Sequence, residues 1–399
     1  MAMLRVCLLS KYPPIEGGVA STAYWLAKEL GNRGHQIHVV TNAIEVEESF
    51  REHLSAEDLV SYQPKNVFIH NTNPFEVPRH IPYSKAYAER LASYAIDVIR
   101  HYDLQVIDSW YLLPYAVAGY LASCFTKRPW TLRHAGSDIA RLFSSNYLRT
   151  ILLEVVKSAD KVVTSPSMKP RLMRAGITEA HLSANIRVSV DTRAFNPAVK
   201  PFGLESLAGN VGGLPVLGYI GKIGVVKGVF ELIEALGGIA EDFVFLVVAG
   251  GQDQQRLLQS LTYHNIAHKT LLLDFVPPWR VPSIMRACTC VVHPERDFPI
   301  EVHTPILPRE VMATGTCLLL SEELYSKRPS HSIIAGESVL TADPRDIDGF
   351  RRALRQVIRN PDSAMKIGET ARQVSEHIEN FRGYVDSVEA LYSDLIGVV

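Results

Sequence analysis

The chain has 399 residues, of which 47% are hydrophobic, 21% are charged and 9% are aromatic, and its formal net charge is −1. This composition is that of an ordinary folded protein and excludes the disordered, collagen-like and coiled-coil classes. The length exceeds the usual size of one domain and predicts two, and the balanced charge argues against a general nucleic-acid-binding surface.

The first half of the chain alternates short β-prone runs with stretches of helical spacing. Strands are predicted at residues 4–9, 36–41, 104–107, 130–132 and 161–164. Such alternation indicates a parallel sheet covered by helices on both faces. A loop with Gly17 and Gly18 joins the first strand to a helix. Free backbone N–H groups at a helix start can bind a phosphate, so this loop is either an anion site or a plain tight turn.

Three features of the sequence bear on location and redox state. The longest apolar stretch, residues 111–125, is shorter than the roughly 20 residues of a membrane span and predicts a buried helix. The first ten residues do not resemble a secretory signal, which predicts a cytoplasmic protein. The five cysteines are scattered along the chain and predict reduced thiols.

Residues 45–82 are rich in charge, aromatic side chains and proline, and we expect them to help form an acceptor side. Their Lys and Arg residues suit an anionic or membrane-borne acceptor, but they also describe an ordinary solvated surface. The sequence therefore leaves two alternatives for the location: cytoplasmic, or peripherally attached to the inner membrane face.

A second alternating series begins after residues 198–213, a stretch of glycine and proline that we interpret as a linker. Its predicted strands are 216–220, 243–248, 270–273, 289–293 and 316–320. The sequence thus predicts two doubly wound α/β domains, at 1–197 and 214–380. Ligands collect beyond the carboxyl ends of parallel strands, so two such domains facing one another predict a deep cleft.

Two lysines stand at the start of the second domain. Lys222 follows a predicted strand and Lys227 precedes a helix. A cation is unfavourable near a helix N-terminus unless an anion neutralises it, so this pair favours a phosphate ligand over two merely solvated side chains.

A third segment runs from Thr304 to Thr316, where Pro305 is expected to open a helix and Gly315 to close it. Its carboxylate, Glu310, is suited to accept hydrogen bonds from a ribose diol, with a solvated helix residue as the alternative. The three-glycine dinucleotide fingerprint is absent, which disfavours nicotinamide chemistry.

Gly17-Gly18, the lysine pair, the run 310–315 and the stretch 190–195 together resemble the retaining family-4 glycosyltransferases. The resemblance implies the GT-B fold, with two facing Rossmann-like domains. It also implies a final helix, within residues 381–399, that crosses back to the first domain.

The resemblance assigns roles residue by residue. Lys222 and Lys227 match the family's basic pair on the donor diphosphate, although the first is usually arginine, which replaces a bidentate fork by a point charge. Glu310 matches the glutamate that holds the ribose, and Gly18 matches the glycine beside the phosphate or donor sugar, with Gly17 next to it. Further donor contacts are expected at Thr304, Pro305, Ile306 and Leu307.

Residues 133–138 resemble the family's His/Arg-Gly-Ser-Asp turn. His134 is therefore the expected catalytic residue near the reacting sugar, together with Lys222 and Lys227. Arg133 and Asp138 are sugar or acceptor contacts on this interpretation, and Asp138 is alternatively a helix N-cap.

The family's earlier glutamate lies eight positions before the ribose glutamate, and that register holds Val302 here. Glu301 is one residue away and becomes a sugar contact if the chain bulges locally, whereas Asp297 and Glu295 lie further upstream. The sequence of residues 304–308 resembles that of a subset of the family in which this earlier glutamate is commonly missing.

The resemblance implies transfer of a sugar from a nucleotide diphosphate, UDP or GDP, to an acceptor hydroxyl with retained anomeric configuration. The acceptor is a polysaccharide, a glycolipid or a small natural product. No cofactor, metal or nucleic acid is expected. A nucleotide-sugar epimerase or hydrolase, or a non-catalytic sugar-nucleotide-binding protein, are the alternatives.

Overall fold

The computed structural model describes residues 2–73, 86–204, 212–300 and 303–397. The chain divides into two compact units. The first comprises Met1–Glu47, Leu54–Val188 and Arg382–Val399, and the second comprises Glu48–His53 and Ser189–Phe381.

The first unit is built on a parallel sheet in the order β3-β2-β1-β4-β5-β6-β7. Its strands are β1 (Arg5–Leu9), β2 (Gln36–Thr41), β3 (Val67–Asn71), β4 (Val106–Trp110), β5 (Trp130–Arg133), β6 (Lys161–Val163) and β7 (Leu182–Ser183). Its helices are α1 (Gly18–Asn32), α2 (Asp58–Tyr62), α3 (Tyr87–His101), α4 (Val117–Thr126), α5 (Ser137–Leu142), α6 (Arg149–Lys157) and α7 (Lys169–Arg174).

The second unit repeats this plan with the strand order β10-β9-β8-β11-β12-β13. Its strands are β8 (Val216–Lys222), β9 (Val244–Gly250), β10 (Thr270–Leu273), β11 (Cys290–His293), β12 (Cys317–Ser321) and β13 (Leu340–Ala342). Its helices are α8 (Val229–Gly237), α9 (Gln254–Tyr263), α10 (Val281–Arg286), α11 (Leu307–Ala313), α12 (Glu322–Ser326), α13 (Ile347–Arg359) and α14 (Pro361–Ile378), and α15 (Phe381–Ile396) then leads back into the first unit.

These sheets confirm the predicted α/β class with two Rossmann-like domains. Both strand orders reverse beside a central strand, between β1 and β4 and between β8 and β11. In doubly wound sheets this reversal opens a crevice at the carboxyl ends of the strands. The reversal therefore marks where a ligand is expected in each unit.

One predicted helix start needs correction, and parts of two predicted segments lie outside the described residues. The helix expected to open at Pro305 begins at Leu307, and Pro308 lies in its first turn. Residues 205–211 of the expected linker and residues 74–82 of the expected acceptor-side segment lie outside the described residues. Glu48–His53, also assigned to that acceptor side, groups with the second unit, where the His53 N–H donates to the Phe275 carbonyl (2.8 Å).

The final helix joins the first unit through a buried polar network. The carboxylate of Asp108, at 0% exposure, accepts hydrogen bonds from Arg133 Nε (2.8 Å), Trp110 Nε1 (2.9 Å) and the Tyr392 hydroxyl of α15. Arg133 also stacks over the Trp110 ring at 5.1 Å. A buried charge needs such a partner, so the network fixes α15 to the sheet.

Among the described helices, none is long and apolar enough to cross a membrane.

Buried His38 pairs with half-buried His70 in the first unit, and we expect this pair to make the stability of the unit depend on pH. His38 Nδ1 lies 3.0 Å from His70 Nε2, and burial together with the charge of His70 lowers the pKa of His38 to about 4. The unfolded chain, with an ordinary pKa near 6.5, binds more protons below that pH. Stability should therefore be complete above pH 6.5 and fall between pH 6.5 and pH 4.

The measurement is urea denaturation at pH 7, 6 and 5 for the wild type and for His38→Gln. The variant should show a shallower loss, because each proton taken up on unfolding contributes about 1.4 kcal/mol per pH unit. His331→Gln, at an exposed position, is the matched control and should keep the wild-type slope. Equal slopes for the wild type and His38→Gln would contradict the prediction.

Candidate active site

Charged side chains of the second unit gather at the carboxyl ends of two neighbouring strands. Lys222 is the last residue of β8, and His293 is the last residue of β11. These strands pair in parallel at the point where the strand order reverses. Lys227 ends the short turn Val225–Lys227, which leads into α8. The predicted lysine pair is thus placed at the expected crevice of this unit.

Lys222 is partly exposed and lies beside an aromatic ring. Its ammonium stands over the ring of Phe50 at 5.5 Å, a cation–π arrangement, and Phe50 belongs to the segment Glu48–His53. The carbonyl of Lys222 accepts a hydrogen bond from the Tyr219 hydroxyl (2.6 Å). The backbone at the end of β8 is therefore anchored.

Lys227 is held by a carboxylate and by a ring. Its ammonium forms an ion pair with Glu295 and stands over the Phe298 ring at 4.7 Å. Gly228 makes this approach possible, because a Cβ there would lie 2.0 Å from the Pro294 carbonyl oxygen and its φ is +68°. An ammonium has three donors, so Lys227 can keep Glu295 and still donate to a further anion.

Two histidines complete this cluster. Burial opposes ionisation of Glu295, but His303 and Lys227 outweigh it and lower the pKa of Glu295 to about 2. His303 Nε2 lies 3.1 Å from Glu295 Oε1, and its ring stacks on Phe298 at 4.0 Å. Burial lowers the pKa of His293 to about 4, so this ring is neutral at pH 7.

Neither ring nitrogen of His293 has a hydrogen-bond partner among the described residues, although the residue is only 9% exposed. A buried polar group left unpaired costs about 1–3 kcal/mol. A hydroxyl or phosphate oxygen of a ligand would remove this cost. We therefore expect His293 to contact a ligand, a role that the sequence analysis did not predict.

Glu310 is buried on α11, at 7% exposure. Burial raises its pKa to about 7, with Arg309 acting against this shift and Glu379 adding to it. The residues before it lead into the helix, with Thr304 exposed and the next three half-buried, namely Pro305, Ile306 and Leu307. Glu301 lies outside the described residues, so its role as a sugar contact stays a prediction.

The glycine loop of the first unit adopts the expected geometry. Gly17 is the N-cap of α1 with φ +122°, a conformation that L-residues rarely adopt, and a Cβ there would meet open space. Gly18 is the first residue of the helix. Free N–H groups therefore stand at the start of a 15-residue helix, as an anion site requires.

His134 follows β5, and both of its ring nitrogens are used within the first unit. The Gly136 N–H donates to Nδ1 (3.0 Å), so the proton sits on Nε2, which lies 2.7 Å from Thr164 Oγ1. Burial lowers its pKa, so His134 is a neutral imidazole of fixed tautomer at pH 7. It is not suited to a cationic role, and a polar contact with a sugar would have to replace the bond between Nε2 and Thr164.

The neighbours of His134 have structural roles. The N-cap of α5 is Gly136, so the alternative role of Asp138 as N-cap is wrong. The Asp138 carboxylate instead accepts from the N–H groups of Ala135 (3.0 Å), Ile139 (2.9 Å) and Leu112 (2.9 Å). Arg133 is 5% exposed in the Asp108 network, which favours an anchoring role over contact with a sugar.

Among the described residues, no group of three or more His, Cys, Asp or Glu side chains is arranged to hold a metal ion. Independence from metal stays a prediction. Its basis is that Lys222 and Lys227 supply positive charges of the kind that a metal ion would otherwise supply.

Comparisons with known proteins agree with this geometry. Residues 16–184 match the family described as "Glycosyltransferase Family 4", and residues 208–374 match "Glycosyl transferases group 1". The N-acetyl-alpha-D-glucosaminyl L-malate synthase of Bacillus anthracis is 26% identical over 96% of both chains.

Solved structures share the fold. Sucrose-phosphate synthase from Thermosynechococcus elongatus has a TM-score of 0.71 at 15% identity, covering 99% of this chain and 100% of its own. Anabaena HepE in complex with UDP-glucose has a TM-score of 0.69 at 15% identity, covering 98% and 100%. The chain therefore belongs to the GT-B glycosyltransferases of the family-4 type.

Proposed function

We propose that this glycosyltransferase takes its sugar from a nucleotide diphosphate, UDP or GDP, and transfers it to an acceptor hydroxyl with retained anomeric configuration and without a metal. The main observation in support of this proposal is the position of Lys222 and Lys227 at the carboxyl ends of the central strands of the second unit. The UDP-glucose complex of HepE, which shares this fold, supports a nucleotide-sugar donor.

In this proposal the lysines bind the diphosphate and stabilise the charge that grows on it as the glycosidic bond breaks. Groups that are already in place need no reorganisation during the reaction, which is the main source of electrostatic catalysis. The ion pair with Glu295 and the Phe298 ring hold Lys227 in place before the donor arrives. Glu310 would accept hydrogen bonds from the ribose diol, and His293 would meet a sugar hydroxyl or phosphate oxygen.

The remaining assignments belong to the first unit. His134 would contact the reacting sugar through its fixed neutral imidazole, and the N–H groups at Gly17 and Gly18 would approach the phosphate or sugar. The cleft that brings both domains onto one donor, the acceptor, the cytoplasmic location and membrane attachment stay predictions.

A donor screen tests the proposal. The protein is melted in the presence of UDP-glucose, UDP-N-acetylglucosamine, GDP-mannose, ADP-glucose and dTDP-glucose, because a ligand that binds only the folded form raises the melting temperature. We expect a UDP- or GDP-sugar to give the largest shift. Absence of any shift at millimolar concentration would contradict the proposal.

The donor selected in this way is then used in transfer assays with excess EDTA, and the new linkage is examined by proton NMR. We expect full activity with EDTA and an anomeric configuration equal to that of the donor. Loss of activity that manganese restores would overturn metal independence. Free sugar formed at the same rate without an acceptor would instead support a hydrolase.

A further inference from the structure

Glu379 is a fully buried carboxylate just before α15. Its side chain is 0% exposed, and it forms a two-bonded ion pair with Arg309, from Nε to Oε1 and from Nη2 to Oε2, both at 2.6 Å. Its Oε2 also accepts from Ser189 Oγ (2.8 Å) and from the Val190 N–H (2.8 Å). All of these residues belong to the second unit.

The position of this cluster along the chain is unusual. The chain passes from the first unit to the second between Val188 and Ser189, and it returns between Phe381 and Arg382. Glu379 and Ser189 stand next to these two passages, and the Asn380 N–H donates to Ser189 Oγ (2.9 Å). The cluster therefore ties the two passages to each other.

Arg309 connects the same cluster to the candidate active site. It precedes Glu310 in the first turn of α11, so the bidentate bond to Glu379 fixes the start of that helix. A bidentate arginine–carboxylate pair fixes orientation as well as distance. Without it, α11 could shift by rotation or translation, and Glu310 would move with it.

The charges around Glu310 can be assigned. Arg309 and Glu379 both act on its pKa. Helix α14 packs on α11, and its Arg372 is turned to the backbone carbonyls of Thr192, Phe195 and Ala313. The neighbouring strand β12 carries no charged residue, and α10 carries only Arg286.

We infer that Arg309 and Glu379 are positioning residues of the donor site: their ion pair holds Glu310 for the nucleotide ribose and joins it to the two passages between the units. The inference rests on the proposed function of Glu310. It explains why an arginine, rather than an apolar residue, occupies this place on a largely buried helix.

The test measures the affinity for UDP, with GDP as the second probe, by calorimetry from pH 5.5 to 8.5. In the wild type, affinity should fall below about pH 7, since Glu310 can accept hydrogen bonds from both ribose hydroxyls with its two oxygens only when it is ionised. Arg309→Met leaves Glu379 as an uncompensated anion beside Glu310, so this fall should begin at higher pH. Glu379→Gln removes a negative charge that raises the pKa of Glu310, so this fall should begin at lower pH.

At pH 7 we expect Arg309→Met to weaken UDP binding about fivefold, because a rise of about one pKa unit from about 7 lowers the ionised fraction of Glu310 from about one half to about one eleventh. The double variant removes both charges. We expect its affinity for UDP to begin to fall at a pH close to that of the wild type. Arg355→Met removes an arginine that is paired with Glu241 elsewhere in the unit, and it should change neither quantity.

A purely structural role would lower the melting temperature of both single variants without moving their pH profiles in opposite directions. If Arg309→Met does not fold, Arg309→Lys, which keeps the charge but loses the bidentate bond, takes its place and should weaken binding at an unchanged pH profile. Affinities within twofold of the wild type and unchanged profiles in every folded variant would overturn the inference. A wild type that binds neither UDP nor GDP would instead overturn the proposed function.

Discussion

Lys227→Ala is expected to slow sugar transfer ten- to a hundredfold at saturating donor. A charge-assisted hydrogen bond contributes about 1.5–3 kcal/mol, and about 1.4 kcal/mol corresponds to a factor of ten in rate. The effect should fall mainly on kcat, because the lysine matters most when charge develops on the departing diphosphate. Initial rates with the donor selected by the thermal screen measure it.

The substitution also leaves Glu295 without its cation, so a loss of folding must be separated from a loss of catalysis. Lys227→Ala combined with Glu295→Gln removes the stranded carboxylate and should regain stability but not activity. Lys269→Ala is the matched control. Lys269 also stands over an aromatic ring, Phe243 at 4.8 Å, and near a carboxylate, Asp242 at 3.8 Å, but it lies outside the candidate site.

A Lys227→Ala enzyme that keeps more than half of the wild-type kcat would contradict the assignment of this lysine to the diphosphate. Lys222→Ala is expected to slow transfer as well, because Lys222 supplies the second positive charge at the carboxyl end of β8.

The sequence predicted the two-domain α/β fold because its buried central strands are continuous apolar runs. Strands such as β9 and β12, buried throughout, have this pattern. It did not predict β3, β7 or β13, each at or beside a sheet edge, where partly exposed residues leave no apolar run. Periodicity reports burial, and edge strands are only half buried.

Site residues at or just after the end of an apolar strand were predicted from the sequence. A partner that comes from a distant loop was missed. Lys222 and Lys227 could be named because Lys222 ends β8 and Lys227 ends the turn that follows this strand. The pairing of Lys227 with Glu295 depends on a chain approach over 68 residues, which Gly228 permits against Pro294. His293 carried a signal, as a polar residue ending a buried strand, but the sequence analysis assigned it no role.

Arg133 is a residue for which the position in the sequence suggested a different role from the one that the structure favours. Its place beside His134 suggested a contact with the sugar, but side chains alternate between the two faces of a strand. Arg133 is the last residue of β5, and its guanidinium meets Asp108 of the adjacent strand and the ring of Trp110. The partner that completes the network, Tyr392, lies 284 residues from Asp108, and no local pattern indicates it.

Asp108→Asn is therefore expected to destabilise the first unit by about 3–5 kcal/mol, the usual cost of removing one partner of a buried ion pair. The amide is neutral and leaves the Arg133 guanidinium, at 5% exposure, without a counter-charge. Urea denaturation followed by tryptophan fluorescence measures this, because Trp25, Trp110 and Trp130 all belong to the first unit.

Asp103→Asn is the matched control, since Asp103 pairs with Arg5 and Arg128 at the surface with 66% exposure and should contribute at most about 1 kcal/mol. Asp108→Asn combined with Arg133→Met removes both charges and should recover most of the loss, because neutral side chains of similar size can replace a buried pair. If the double variant is no more stable than Asp108→Asn, the ion pair is not the source of the effect. The hydrogen bond from Tyr392 would then be what holds α15 on the sheet.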